Sequence, residues 1–81
     1  MTDRDSIETA YAFLHQKRNV YIHSPYAWQR DDIEMAIASY ADSMSPELYA
    51  ALAHGRAGYL RDHTTFEADI THAVTTLEAL L

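Results

Sequence analysis

Cysteine is absent from this 81-residue chain. That excludes a disulfide scaffold, a cysteine nucleophile and any thiolate metal site. Glycine and proline are scarce, two of each, so the chain is neither loop-rich nor of low complexity. Basic residues are few: six against twelve acids, a formal net charge of −6. Such a charge repels nucleic acid at long range and argues against a phosphate-tracking surface. No apolar run approaches the ~18 residues that a membrane span requires. Met1-Thr2-Asp3-Arg4-Asp5 has no basic-then-apolar signal pattern. A cytoplasmic protein without a membrane partner is the expectation.

Apolar residues make up 48% of the chain and charged residues 22%, ordinary values for a globular domain. Residues 1–81 are read as a single domain, since neither half could bury a core by itself. A chain this short buries only about 60–65% of the surface it exposes when unfolded, so its stability margin is thin. The acid is spread rather than gathered in a tail. Residues 1–24 are net zero, while residues 25–46 and 47–81 each carry −3.

The punctuation predicts four helices. Asp5 and Glu8 have capping-box spacing before a first helix over about Asp5 to Ile22. Ile7, Ala10, Tyr11, Leu14 and Tyr21 form its apolar stripe. Lys17 and Arg18 sit late, where cations suit the helix dipole. An alternative ends this helix at Asn19 and leaves Val20-Tyr21-Ile22 extended. Ser24-Pro25 and Ser45-Pro46 each read as a cap followed by proline at the first helical position. They open a second helix to about Ser43, with Tyr26, Ile33, Ala36, Ile37, Tyr40 and Met44 inward, and a short third to His54. In the third, Leu48, Ala51 and Leu52 face one way, and Gly55 suits the position after its end. Arg56 to Asp62 adds a single turn carrying Tyr59 and Leu60. Thr64 and Glu67 are spaced as a capping box for a last helix to Leu81. Its stripe is Phe66, Ile70, Ala73, Val74, Leu77, Leu80 and Leu81. Strand-like alternation is nowhere sustained. The fold class expected is all-α: a small antiparallel helical bundle of three long helices and one short helix. Thirteen alanines suit close helix packing and high helix propensity.

Chemistry-bearing patterns are thin. None of the five histidines makes the i, i+4 pair of a helical zinc site. Asp69 and His72 lie three apart, the spacing of a carboxylate–histidine ligand pair. A metal-dependent activity there would need a third ligand from another helix. Ser24 beside His23 makes no nucleophile, because sequence adjacency is not contact and no nucleophile elbow surrounds it. Asp31-Asp32 reads as a helix-start feature rather than an acid–base pair. Gly55-Arg56-Ala57-Gly58 is too short to cradle phosphate and lacks the following Lys-Ser/Thr. No enzyme activity, cofactor or metal is expected. The runner-up is a small nucleic-acid-binding or transcriptional regulator with a degenerate helix-turn-helix-like segment at 48–63. Ala51 and Gly55 have the spacing for it, while Gly58 and Arg61-Asp62-His63 speak against its second helix.

The most informative feature is apolar residues off the main stripes. Trp28 and Met35 are seven apart on a face nearly opposite Ile33 and Ile37. Phe13 and Val20 are likewise seven apart and off the Ile7–Leu14 stripe. The outer face of a bundle helix is normally polar. These four residues are the candidate interface of a small acidic interaction module, covered by the chain itself, by a second copy in a homodimer or by a protein partner. Lys17, Arg18 and Arg30 are expected to pair with Asp31, Asp32 or Glu34.

Overall fold

A computed structural model describes residues 4–81. The fold is all-α. Helix α1 spans Arg4–His23, α2 Ala27–Ser43, α3 Pro46–Ala53 and α4 Phe66–Leu80, with a 3-10 turn at His63–Thr65 ahead of α4. There is no strand among the described residues. No helix of the described residues is long and apolar enough to cross a membrane.

The apolar stripes explain the packing. Ala10, Leu14 and Tyr21 of α1, Ile33 and Ile37 of α2, and Leu48 and Leu52 of α3 meet Phe66, Ile70, Ala73, Val74 and Leu77 of α4 in one core. Ile7, Tyr11, Phe13, Tyr40 and Tyr49 pack against its edge. Helix α1 is central, lying most extensively against α4 and next against α2. Its side-chain pairs show the directions. Tyr11 reaches Glu78 and Arg18 reaches Thr71, so α1 and α4 run against each other. Phe13 stacks on Tyr40 and Tyr21 donates to Glu34, so α1 and α2 do the same.

Several expected boundaries shift, each for a visible reason. Asp5 lies inside α1, and any cap for that helix falls on residues 1–3, outside those described. Residues 20–22 are helical to the end of α1. Lys17 therefore sits well before the last turn and lies over the Phe13 ring instead. Ser24 does not cap α2. Its hydroxyl donates back to the Val20 carbonyl at 2.7 Å and closes α1. Helix α2 starts after Tyr26, whose carbonyl accepts from Gln29 and Arg30. That leaves Pro25 in the connection and Tyr26 58% exposed. Asp31 and Asp32 consequently lie beyond the first turn of α2 and are not a helix-start pair.

Ser45 caps α3 as expected, accepting from the Leu48 N–H at 3.1 Å, a contact of about 1 kcal/mol. On α3, Ala51 is exposed and Ala53 buried. The Thr64–Glu67 box does not form. The Asp62 carboxylate accepts from both the N–H and the hydroxyl of Thr64, so that hydroxyl is already used and Asp62 opens the 3-10 turn. Leu80 and Leu81 extend past the last core residue of α4 and are half-exposed.

Candidate functional site

Three side-chain groupings follow from this packing: a buried carboxylate, a polar cluster beside α2 and an uncovered face of α2. The first sits in the connection between α3 and α4. His54 ends α3 in the left-handed region at φ 52°, followed by Gly55 at φ 76°. Gly58 and then Leu60 return there, Leu60 at φ 63° with its side chain fully buried. A left-handed leucine costs energy that its surroundings must offset. Asp69 of α4 supplies the anchor. Its carboxylate accepts from the Leu60 N–H at 3.0 Å, from the Thr65 hydroxyl at 3.1 Å and from the Arg56 guanidinium.

The Tyr59 hydroxyl, against the Asp69 carbonyl and hydrogen-bonded with His72 Nδ1 at 2.8 Å, completes this arrangement. Burial and the Asp69 charge push the Tyr59 phenol far above its ordinary pKa. Asp69 and His72 thus have separate partners. The carboxylate is buried under three donors and offers no metal face, so the possible metal pair at these positions is a structural anchor. An open pocket of about 330 Å³ beside it is lined in part by His54, Arg56, Tyr59 and His72.

The second grouping was not legible as a motif. Glu34 of α2 receives the Tyr21 hydroxyl at 3.1 Å. Both its carboxylate oxygens lie 3.0 Å from Nδ1 of His63. Asp31, one turn earlier on α2, brings a third ligand-type group. The nearest such atoms of Asp31, Glu34 and His63 are all within 4.8 Å of one another. They line an open pocket of about 320 Å³ with Met35, Ala38 and Arg61. Arg61 pairs with Asp42 at 2.6 Å, with its guanidinium over the Tyr49 ring. The expected cation pairs do not form here: Arg18 bonds Thr71, Arg30 donates to the Ser24 carbonyl, and Lys17 covers Phe13. The only sequence signal for this cluster is Asp31-x-x-Glu34, which puts both acids on one helix face. His63 arrives through the tertiary fold.

The contact with Glu34 raises the His63 pKa, first by the hydrogen bond and then by the carboxylate charge, while burial pushes Tyr21 up to about 12. A raised folded-state pKa contributes stability that is present in full below the unfolded value, ~6.5. That stability is lost as pH rises through the folded value. Histidine proton NMR is expected to find His63 titrating above the ordinary histidine range. Glu34→Gln should bring it back, and an unchanged His63 midpoint in that variant would disprove the coupling.

The third grouping concerns the four candidate interface residues, which separate in the structure. Phe13 is half-buried, its ring stacked on Tyr40 at 4.3 Å between centroids. Val20, Trp28 and Met35 remain 48%, 63% and 71% exposed, so no other segment of the described chain covers them. The Trp28 ring is nearly parallel to that of Tyr26, with ring centroids 6.4 Å apart. Ile22 adds to the exposed apolar surface at the α1–α2 corner. Asp31 and Asp32, both exposed, lie between Trp28 and Met35 on the same side of α2.

The remaining sequence expectations resolve locally. His23 Nδ1 bonds the Asn19 carbonyl and Ser24 the Val20 carbonyl, so the two are not a catalytic pair. His15 packs near Tyr11. The segment 48–63 contains α3 and then turns, with the next α-helix starting at Phe66. The recognition helix that a helix-turn-helix requires just after Gly55 is not formed. No family model matches the chain, and no curated protein or solved structure is significantly similar to it.

Proposed function

We propose that this protein is a non-enzymatic interaction module whose α2 outer face binds a basic, amphipathic segment of another protein. The observation that carries the reading is the pairing of Trp28 and Met35, exposed one above the other, with the exposed acids Asp31 and Asp32 between them. Tryptophan and methionine are enriched at interface cores, and a methionine side chain adapts to varied apolar partners. Charge selects the partner's chemistry. Helix α2 carries Asp31, Asp32, Glu34 and Asp42 against Arg30 alone, and Arg30 is turned back onto the Ser24 carbonyl. Two copies of this face brought together would oppose like charges, whereas a cationic helix would meet complementary ones. The non-enzymatic part of the reading is supported by the Asp69 anchor, which commits its carboxylate to holding the connection.

Trp28 is the sole tryptophan of the chain, so its fluorescence reports on this face directly. A designed helical peptide with lysines on one side and leucines on the other is the probe. Titration is expected to shift Trp28 emission to the blue, with binding that weakens as salt rises. Asp31→Asn with Asp32→Asn should weaken binding, and Met35→Ala should do so without changing the melting temperature. An equal shift with an acidic peptide of the same apolar face would refute the charge argument. A solution mass of twice 9.2 kDa, with Trp28 already blue-shifted and no peptide present, would assign the face to a second copy instead.

A further inference from the structure

The cluster beside α2 shares Asp31 with that face and has a second use. We propose that Asp31, Glu34 and His63 form a site for a divalent transition-metal ion of the zinc type. One imidazole and two carboxylates are a borderline donor set, suited to zinc and its first-row neighbours rather than to calcium or magnesium. The three ligand atoms already lie within 4.8 Å of one another. Bonds of about 2.0–2.2 Å in tetrahedral geometry set ligand atoms about 3.3–3.6 Å apart, so closing on an ion needs side-chain rotations rather than backbone movement. Asp31 is exposed and able to make them.

Two further features fit an ion. Glu34 is held from behind by the Tyr21 hydroxyl at 3.1 Å. Tyr21 is itself a buried core residue, so this is the kind of outer support that fixes a ligating carboxylate. The pocket these residues line opens to solvent, giving an entry path and room for water in the coordination positions the protein does not fill. Arg61 also lines the pocket, and its charge is offset by Asp42 at 2.6 Å. An ion here joins α2 to the turn that precedes α4. Among the described residues, the ion pairs Glu34–His63 and Asp42–Arg61 bridge this junction. Metal would therefore fasten the helix that carries the Trp28–Met35 face.

The experiment uses the untagged 81-residue chain dialysed against zinc chloride near neutral pH, where the carboxylates are already ionised and zinc displaces the imidazole proton into solvent. Bound zinc is counted by elemental analysis, and affinity is measured by calorimetry. One zinc per chain is expected, with a raised melting temperature. His63→Ala and Asp31→Asn should each abolish stoichiometric binding. Asp31→Asn changes an exposed side chain, so it keeps the test valid should His63→Ala perturb folding. Tyr21→Phe, which removes only the supporting hydroxyl, should weaken zinc about 10–100-fold. Retention of no zinc, or the same stoichiometry in wild type, His63→Ala and Asp31→Asn, would overturn the proposal. The second result would place the ion on other histidines such as His54 and His72.

Discussion

Replacing Asp69 by alanine is expected to lower stability by roughly 3 kcal/mol, a large share of the total for a chain of this size. The carboxylate is 1% exposed and takes three donors from two different segments. Alanine leaves the Leu60 N–H buried without a partner, and an orphaned buried donor costs about 1–3 kcal/mol. It also removes a charge-assisted bond to Arg56. That guanidinium side chain is half-exposed and recovers part of the loss from water, which keeps the total at the low end of the range for a fully buried ion pair. At about 4–8 °C per kcal/mol for a domain this small, the melting temperature should fall by roughly 12–24 °C. Asp69→Asn retains an acceptor for Leu60 and should cost less. If calorimetry finds Asp69→Ala melting with wild type, the carboxylate does not hold the connection together.

Phe66→Ala should be at least as damaging, by about 3–5 kcal/mol. The ring is buried at the first position of α4 and packs against Tyr21 at 5.0 Å between centroids. It joins α1 to α4 at the point where the connection ends. Alanine is the better helix former, so any loss comes from the cavity and not from weaker helix propensity. Phe66→Leu preserves much of the volume and should cost under about 1.5 kcal/mol. Urea unfolding of both variants separates the two contributions. Equal midpoints for Phe66→Ala and wild type would mean that the ring is not part of the core. Because Phe66 and Asp69 lie one helical turn apart, the double variant should depart from additivity.

These two residues also mark how far the sequence could be read. Phe66 was legible: it begins the cleanest apolar stripe in the chain, and helical periodicity needs no tertiary information. The same holds for Leu14, Ile37 and Leu77, and for Ser45 as a cap. Asp69 was legible only as a polar residue three before a histidine. Its real partners come from Arg56 and Leu60, and a left-handed leucine leaves no signature in composition or period. Ser24 and Thr64 misled for one shared reason. A short hydroxyl side chain has several backbone and side-chain partners within reach, and the tertiary arrangement chose a different one. The Asp31–Glu34–His63 cluster was invisible because half of its spacing is set by the fold. The off-stripe residues divided likewise: helical periodicity put Phe13 and Trp28 in one class, and only the position of Tyr40 distinguishes them.

The dominance of the α1–α4 interface has a consequence for the order of events during synthesis. The first helix has its main partner in the last. Between the end of α1 at His23 and the start of α4 at Phe66, translation at about 5–20 residues per second takes roughly two to nine seconds. For that interval Leu14 and Tyr21 lack the α4 residues that complete their core, with only α2 and then α3 available. Helix formation and hydrophobic collapse take microseconds, far less than this interval, so the α4-facing side of α1 is left apolar and wet until α4 is made. The nascent chain is therefore expected to be most prone to aggregation just before α4 emerges. Slowing translation across residues 54–65 would lengthen that exposure without altering the native state.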